Sequence, residues 1–350
     1  MRASLILRGL RGRTGLLTAS ASAVAVASSA LAWCEIAPGT LADVELTERP
    51  QDKWIETSQH ALADALVDWN ALDMCYVGAL RTIREAYSFP LSAMQAVREH
   101  FLAEAKAGLA GTPSSVRMLP TYVTSRVTGS ESGDFYALDL GGTNFRVLKL
   151  TLEGGGKVGP VTQGKFKIPK EIKQGTGEGL FGFLADSIAT FLATECGGNP
   201  KGVLGFTFSF PTEQDAINRG KLIIWNKEFS ASDVVGHDVV ALLQTELVKR
   251  GINLEVRALA NDTVGTMEAA AYAYSDTTMG VILGTGTNAA YIEKTSNVGK
   301  WQGPSSAEMV INTEWGNLDM ARSMNLYDAI IDVASQNPGC QRFEKMISGM

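Results

Sequence analysis

The sequence predicts an α/β fold with a partly parallel sheet. Three β-prone runs follow one another directly, near 134–140, 145–152 and 161–168. After them helical and β-prone segments alternate, with helices near 179–195, 237–250 and 263–273 and strands near 202–208, 254–260, 279–283 and 288–293. Consecutive strands favour antiparallel hairpins, whereas strands that alternate with helices favour parallel crossovers. The two patterns together indicate a mixed sheet covered by helices.

A helical region precedes these strands. From Trp54 to Leu109, apolar residues recur at steps of three and four, for example at Leu62, Leu66 and Trp69. This spacing places them on one face of a helix, which can pack against the rest of the molecule.

Composition limits the classes of function. The chain has 350 residues, enough for one large or two ordinary domains, with 45% hydrophobic and 19% charged residues. A formal net charge of -6 argues against a protein that binds nucleic acid by neutralising phosphates over a broad face. The cysteines and histidines are scattered, so the sequence contains no paired zinc-site spacing and no disulfide framework.

The first 40 residues differ from the rest of the chain. Four arginines, many Ala, Ser and Val residues and no acidic residue occupy the stretch before Glu35. This composition is typical of an organelle transit peptide, and interruptions by Ser and Thr make a membrane-spanning helix marginal. We expect residues 1–40 to be a targeting or membrane-anchor segment, with association of residues 1–34 with an organelle membrane. The expected location is the cytosol or the mitochondrion, by import or outer-membrane anchoring, and a plastid or secretory route is the alternative.

Residues 138–148 read LDLGGTNFRVL and form the most informative stretch. A β-prone run ends in Asp139, two glycines follow, and a second β-prone run begins. Gly141 and Gly142 admit backbone conformations closed to other residues, so that exposed N–H groups and the Thr143 hydroxyl can donate to phosphate oxygens. Asp139 stands where it can hold a magnesium ion, directly or through water. The alternative is an ordinary Gly-Gly hairpin beside an acid.

Three further β-prone runs end in small and polar residues. Ser209, the pair Asn261–Asp262 and the GTGTN stretch at 284–288 each follow a predicted strand. In open α/β sheets, ligands bind outside the carboxyl ends of the strands. We therefore expect these clusters and the glycine hairpin to meet at one cleft.

The stretch Gly284, Gly286 and Ala289 also fits the G-x-G-x-x-A fingerprint of dinucleotide-binding proteins. That motif must open a helix, because the pyrophosphate binds at the helix N-terminus. Here a β-prone run follows, which favours a hairpin in which Thr285 and Thr287 cradle a phosphate. The G-x-x-x-x-G-K-[ST] motif of P-loop proteins is absent from the sequence.

Two acids and one lysine are candidates for chemistry. Asp262, after a strand and beside Asn261, can act as a general base, although Asp and Asn before a helix also serve as caps. Lys227 lies in a loop, where a lone lysine is ordinarily solvated. Glu314 follows the β-prone residues from Ile311, and its simplest interpretation is an acid at the end of a strand.

Taken together, these segments resemble the hexokinase family over the range from about Trp54 to Met350. The matching segments are Leu138–Val147 (first phosphate motif), Gly205–Pro211 (sugar-binding serine strand), Ala260–Thr266 (catalytic-aspartate segment), Gly284–Ala289 (second phosphate motif), Glu314–Gly316 (sugar-hydroxyl glutamate) and Phe343–Met350 (a further family block). The resemblance implies the two-lobed actin-like ATPase fold, which is ribonuclease H-like, with mixed sheets and an incomplete second lobe. It also implies a small domain at 41–254, with its preceding helices, and the start of a large domain at 255–350.

The resemblance implies phosphorylation of D-glucose and related hexoses at the 6-hydroxyl, with ATP and Mg2+ as cofactors. Asp262 would be the general base and Lys227 a second catalytic residue. The residues implied to bind the sugar are Ser209, Asn226, Lys227, Asn261, Asp262, Asn288 and Glu314. Those implied to hold the phosphates of ATP are Asp139, Gly141, Gly142, Thr143, Asn144, Arg146, Gly284, Thr285, Gly286 and Thr287, and Asp139 would also hold the Mg2+ ion through water.

Two departures from the family pattern bear on activity. The family usually has Trp-Thr-Lys-Gly-Phe where this chain has WNKEF at 225–229, so Glu228 replaces a glycine. We expect its bulk and charge to lie near the sugar and to alter affinity or selectivity. The chain stops at Met350, before the positions of a further sugar-binding glutamate, the last phosphate loop and the adenosine pocket. A non-catalytic, sugar-binding or glucose-sensing protein is therefore the alternative function.

Overall fold

The computed structural model describes residues 88–142, 144–225, 228–284, 286–303, 307–321, 326–335 and 337–347, together with 3–4, 78, 81 and 84–85. The predicted targeting segment and the predicted helices before residue 88 lie outside these ranges, apart from the isolated positions, and stay predictions. Of the helices within the described ranges, none is long and apolar enough to cross a membrane.

The elements follow one another much as the sequence predicts. The strands are β1 (Ala3–Ser4), β2 (Leu119–Pro120), β3 (Ser132–Leu140), β4 (Asn144–Gly154), β5 (Lys157–Lys167), β6 (Gly202–Phe208), β7 (Thr212–Ala216), β8 (Arg219–Leu222), β9 (Leu254–Ala260), β10 (Met279–Leu283), β11 (Thr287–Lys294) and β12 (Glu308–Asn312). The helices are α1 (Leu91–Ala110), α2 (Lys170–Lys173), α3 (Gly177–Glu195), α4 (Val239–Lys249), α5 (Asp262–Ala273), α6 (Leu326–Ala334) and α7 (Arg342–Ile347).

The first sheet has the strand order β5-β4-β3-β6-β9. The consecutive strands β3, β4 and β5 pair antiparallel, whereas β3, β6 and β9 run parallel, which confirms the predicted mixed sheet. Helices α3 and α4 cover one face, where Phe181, Leu184 and Leu243 are fully buried. Alternate residues of a strand point to opposite faces, so Ala137 of β3 faces the other side and packs with Tyr272 of α5.

The second sheet has the strand order β1-β10-β11-β12-β2, and every neighbouring pair is antiparallel. On one face, Ile311 of β12 packs with Leu109 of α1. On the opposite face, Val310 packs with Val264 and Met267 of α5. Helix α5 therefore lies between the two sheets and contributes to the core of each.

The approach of β10 to α5 depends on a glycine. A Cβ atom added to Gly280 would lie 2.7 Å from Cβ of Met267 and 2.9 Å from the carbonyl oxygen of Thr263. Any side chain at this position would push the strand away from the helix. The close contact between α5 and the second sheet thus requires a glycine at position 280.

The structure groups the elements differently from the predicted domain boundary at 254/255. Strand β9 begins at Leu254 and pairs in parallel with β6, so it completes the first sheet. Helix α1 and strand β2 precede the first sheet in sequence but belong with the second, because α1 packs on Ile311 and β2 pairs with β12. The second layer is built from segments on both sides of the first sheet.

The elements that were not predicted include the β7–β8 hairpin and helix α2. The hairpin of β7 and β8 reads TEQDA and RGKL, which contain few of the β-branched and aromatic residues that mark strands. Helix α2 has four residues, too few for a helical period to be recognised.

Helix α5 carries a buried acid, Glu268, whose side chain is 1% exposed. Its Oε2 accepts no hydrogen bond from any residue that the structure describes. Burial raises the pKa of Glu268 to about 7, although the charge of Arg126 and the backbone N–H of Val127 favour the ionised form. The carboxyl group is therefore protonated in the folded chain under mildly acidic conditions.

We expect Glu268→Gln to change how stability depends on pH. The folded pKa of about 7 lies above the unfolded value of 4.5, so the wild-type free energy of unfolding is highest below pH 4.5 and falls as the pH rises towards 7 and beyond. Between pH 5 and pH 8 this fall amounts to roughly 2–3 kcal/mol. Urea denaturation at the two pH values should show that Glu268→Gln lacks this component. The exposed Glu255→Gln variant is the matched control, and equal pH dependence in the two variants would contradict the prediction.

Candidate active site

Three of the four predicted clusters lie side by side at one edge of the first sheet. Strands β3, β6 and β9 are parallel, so their carboxyl ends meet there. The backbone N–H of Ser209, just after β6, donates to the carbonyl of Leu140 at the end of β3 at 3.4 Å. Asn261 and Asp262 follow β9 directly. The predicted convergence of the glycine hairpin, Ser209 and Asp262 is confirmed.

The cap of helix α5 is Asn261 rather than Asp262. Oδ1 of Asn261 accepts a hydrogen bond from the N–H of Thr263 at 2.9 Å, and the helix begins at Asp262. The half-buried carboxylate of Asp262 accepts a long hydrogen bond of 3.4 Å from the Thr263 hydroxyl. Asp262 thus stands in the first turn of α5, at the edge of the sheet.

The second sheet adds a set of polar side chains to this edge. The Nδ2 atom of Asn288, on β11, lies 3.3 Å from Oδ1 of Asn261, 2.8 Å from Oδ1 of Asn312 and 3.5 Å from Oε1 of Glu314. Nδ2 of Asn312 donates to Oε1 of Glu314 at 2.9 Å. We call these four residues the amide cluster. It joins the fourth predicted region to the other three.

Asn312 is a site residue that the sequence analysis missed. It is the last residue of β12, and its polar side chain at the buried end of a strand was the available signal. Its role depends on pairing between strands, since β11 and β12 bring it beside Asn288.

The backbone at Glu314 is held in an unusual conformation, with φ at 53° in the left-handed region. The preceding residue, Thr313, fixes the turn: its hydroxyl donates to the carbonyl of Ala289 at 2.8 Å and accepts from the N–H of Trp315 at 3.2 Å. These bonds direct the Glu314 carboxylate towards Asn288 and Asn312, the cluster residues to which it bonds.

The first glycine turn closes the β3–β4 hairpin. The N–H of Gly141 donates to the carbonyl of Asn144 at 3.2 Å. The conformational freedom expected of Gly141 is not used, because its φ is not in the left-handed region. Among the described residues, a Cβ at Gly141 would meet only the Asn144 oxygen, at 3.6 Å. Gly142 is half-buried beside it, and Thr143 lies outside the described residues.

An ion pair braces this hairpin. Nη1 of Arg146 lies 3.3 Å from Oδ2 of Asp139, and the two residues are cross-strand partners with side chains 18% and 14% exposed. Arg146 therefore orients the predicted magnesium ligand. In the part of the chain that the structure describes, no group of three or more His, Cys, Asp and Glu residues could form a complete metal site. A single carboxylate suits Mg2+ that takes most of its ligands from phosphate and water.

The second glycine turn joins β10 to β11. The N–H of Gly284 donates to the carbonyl of Gly286 at 2.9 Å, and a strand rather than a helix follows. The hairpin prediction is confirmed, and the dinucleotide fingerprint is excluded because no helix begins there. Thr285 lies outside the described residues.

Thr287, a predicted phosphate contact, makes two hydrogen bonds within the protein. It is buried, its backbone N–H donates to Oε2 of Glu344 at 2.8 Å, and its hydroxyl accepts from Nε1 of Trp315 at 3.0 Å. Both groups bond within the protein, so Thr287 fixes the position of the turn.

An aromatic cluster supports the loop after β8. The ring of Trp225 stacks on Phe229 with centroids 5.2 Å apart and meets the edge of Phe210, which follows Ser209 in sequence, at 4.8 Å. Nε1 of Trp225 donates to the carbonyl of Ala231 at 2.9 Å. The cluster fixes both ends of the segment that carries the predicted sugar-binding residues Asn226 and Lys227, which themselves lie outside the described residues.

Glu228, the departure from the family pattern, points into solvent. Its side chain is 84% exposed, and its Oε2 lies 3.7 Å from Nζ of Lys173. The backbone φ of Glu228 is 69°, in the left-handed region. Only glycine adopts this conformation without steric cost, which explains the glycine expected at this position.

We expect Glu228→Gly to stabilise the chain. The left-handed conformation costs a residue with a Cβ about 1–2 kcal/mol, and the added flexibility of glycine in the unfolded chain offsets roughly half of the gain. Thermal and urea denaturation should show a net increase of roughly 0.5–1 kcal/mol. Glu228→Ala, which removes the carboxylate but keeps the Cβ, should show no such gain. Equal stability of the two variants would contradict the strain at this position.

We expect Asn312→Asp to weaken the amide cluster. The substitution removes the donor to Glu314 and places a second carboxylate beside it, so the free energy of unfolding should fall by about 1–3 kcal/mol in urea denaturation. Asn297→Asp is a matched control, because Asn297 donates to Oε1 of Glu293 at 2.8 Å on an exposed surface where solvent screens the repulsion. A loss no greater than that of the control would show that the cluster is not held by this bond.

Comparison with known proteins identifies the family. Residues 79–272 match a family model described as hexokinase, and residues 278–350 match a second model with the same description. The chain belongs to the hexokinase family. The first match includes the Gly141 turn, Asn261 and Asp262. The second includes the other three residues of the amide cluster and Glu344.

Individual hexokinases are similar to this chain over the matched region. Hexokinase-1 of Spinacia oleracea is 47% identical over 283 residues, a match that covers 77% of this chain and 56% of that protein. The hexokinase of Schistosoma mansoni is 46% identical over 243 residues, which cover 68% of this chain and 53% of that protein. This chain thus spans little more than half the length of these relatives.

A solved structure gives the same result for the fold. The hexokinase from Schistosoma mansoni complexed with glucose matches with a TM-score of 0.70 and 41% identity over 76% of this chain and 61% of that one. This match confirms the actin-like ATPase fold that the sequence resemblance implies.

Proposed function

We propose that this chain transfers the γ-phosphoryl group of ATP to the 6-hydroxyl of D-glucose or a related hexose, with Asp262 as the general base. Membership of the hexokinase family supports the reaction type, and the glucose bound to a relative of known structure supports the acceptor. The observation that carries the proposal is the amide cluster next to Asp262, at the edge where both sheets meet.

The chemistry of the amide cluster suits a sugar. The Asn288 amide has two hydrogens, yet its nitrogen lies within 3.5 Å of three acceptor oxygens, on Asn261, Asn312 and Glu314. The acceptors therefore keep capacity for hydrogen bonds from ligand hydroxyls. A site built on such bonds can reject analogues that lack the hydroxyl groups by large factors, because its polar groups are then left unsatisfied. Ser209, buried at the same edge, supplies a further hydroxyl.

Asp262 supplies the proton acceptor. As the sugar oxygen bonds to the γ-phosphorus and the bond from phosphorus to the ADP oxygen breaks, the hydroxyl proton passes to the Asp262 carboxylate. General-base assistance of this kind contributes about 10²–10⁴-fold to the rate. The remaining catalysis comes from the positioning of the reactants and from stabilisation of charge on the transferring group.

The two glycine turns are proposed to face the phosphates. The lack of a side chain at Gly141 allows close approach of an anion to the main chain, and Gly142, Gly284 and Gly286 lie in the same two turns. Asp139, oriented by Arg146, would hold Mg2+, which neutralises charge on the phosphates when bound. The roles of Thr143 and Thr285 at the phosphates, and of Asn226 and Lys227 at the sugar, rest on the family resemblance alone.

We expect Asp262→Asn to abolish turnover and to preserve glucose binding. The test uses the full chain in a coupled assay of ATP-dependent glucose phosphorylation, with glucose affinity measured by calorimetry. The turnover number should fall at least about 100-fold while the dissociation constant for glucose changes only a few-fold. Asp186→Asn, which removes an acid from the far surface of α3, is the control and should keep its activity.

Each outcome of this experiment distinguishes a function. Turnover that survives Asp262→Asn would overturn the role of Asp262. Glucose binding by the wild-type chain without phosphorylation would favour the sugar-binding or sensing alternative. A wild-type chain that neither binds nor phosphorylates a hexose would overturn both functions.

A further inference from the structure

The carboxylate of Glu344, on helix α7, lies between the second glycine turn and the Glu314 loop. Its Oε2 accepts from the backbone N–H of Thr287 at 2.8 Å, and its Oε1 accepts from Nε2 of Gln341 at 2.8 Å. Thr287 is followed directly by Asn288, the central residue of the amide cluster. Glu344 thus bonds to the residue that directly precedes one of the side chains proposed to bind the sugar.

Two glycines form the slot that admits this carboxylate. A Cβ on Gly286 would lie 2.8 Å from Oε2 of Glu344, and a Cβ on Gly316 would lie 2.9 Å from the same atom. Gly286 belongs to the second glycine turn, whereas Gly316 follows Glu314 and Trp315. One wall of the slot, Gly286, therefore belongs to the turn proposed to face the phosphates. The other wall, Gly316, belongs to the loop of Glu314, which is proposed to bind the sugar.

Helix α7 has its own anchors, which are independent of Glu344. Nζ of Lys345 and Nε of Arg342 lie 2.7 and 3.0 Å from the buried carboxylate of Asp332 on α6. Phe343 meets the ring of Trp315 edge-on, with centroids 6.0 Å apart. The helix thus brings the Glu344 carboxylate into the slot on a fixed support.

We propose that Glu344 is a positioning residue that makes the second glycine turn and the Glu314 loop move as one unit. The inference rests on the proposed function, because it couples the phosphate side of that site to its sugar side. The bond to Thr287 fixes the first residue of β11 and therefore the place of Asn288. The contact with Gly316 fixes the loop from which Glu314 reaches the same cluster.

The experiment compares three variants of the full chain. Glu344→Ala removes both acceptor atoms. Glu344→Gln keeps an acceptor for Thr287, and rotation of the Gln341 amide restores the second bond. Lys345→Met weakens the attachment of α7 to α6 but leaves the Glu344 carboxylate unchanged, so it reports what a purely structural role would do.

We expect Glu344→Ala to raise both the dissociation constant for glucose and KM for ATP by about tenfold, since the bond from Thr287 to a charged acceptor, on which both sides of the site depend, is lost. Glu344→Gln should return both values to within about threefold of wild type. Lys345→Met should lower the melting temperature and leave both values unchanged. In Glu344→Ala alone, hydrogen exchange at the Thr287 amide should accelerate.

Two results would overturn the inference, and they differ. If the wild-type chain is active but Glu344→Ala behaves like Lys345→Met in the kinetic constants and in exchange at Thr287, Glu344 is a structural tie only. If the wild-type chain neither binds nor phosphorylates glucose, the proposed function fails, and the positioning role fails with it whatever the exchange at Thr287 shows.

Discussion

Helix α5 packs against both sheets at once, and the arrangement of the candidate site depends on that contact. Tyr272, near its end, packs on the first sheet, whereas Val264 and Met267, near its start, pack on the second. Protein interiors are close-packed, so neither sheet can move relative to the helix without opening a cavity or a clash. The start of the helix is therefore a fixed point between the sheets. Asp262, its first residue, lies where the ends of β6 and β9 meet the side chains from β11 and β12.

The groups that join the two sheets at this point are mostly neutral. Asn261 comes from the first sheet, Asn288 and Asn312 from the second, and Glu314 is the acid among them. Burying an ion pair costs several kcal/mol of desolvation, and each charge then needs the other as its partner. Amides avoid that cost and each offer both donors and acceptors. Such a cluster can hold the sheets together and still exchange hydrogen bonds with hydroxyl groups, which an ion pair across the same gap could not do.

The sequence predicts the elements of the fold better than the partners of individual side chains. Strands β6, β9 and β10 are predicted at their observed bounds because they are apolar runs that end at small or polar residues, whereas the polar hairpin β7–β8 carries no such signal. Asn261, Asp262, Asn288 and Glu314 were noticed because each follows a recognisable β-prone run, and their proposed roles come from the family resemblance. The partner of Thr287 could not be found in this way, since Glu344 lies 57 residues further along the chain. Only tertiary packing brings Thr287 and Glu344 together, and no helix or strand periodicity in the sequence indicates that contact.

Backbone strain occurs at two acids, Glu314 and Glu228, and neighbouring groups compensate for it at one of them. Glu314 and Glu228 both have φ in the left-handed region, at 53° and 69°. At Glu314 the surrounding bonds compensate for the strain: Asn312 donates to its carboxylate and Thr313 holds the flanking backbone. Strain that neighbouring groups enforce is typical of functional sites. At Glu228 the side chain is 84% exposed and its ion pair with Lys173 is 3.7 Å long, so solvent screens the pair and it contributes little. The left-handed turn at 228 therefore serves the backbone path of the loop, and the Glu228 ion pair gives that turn little support.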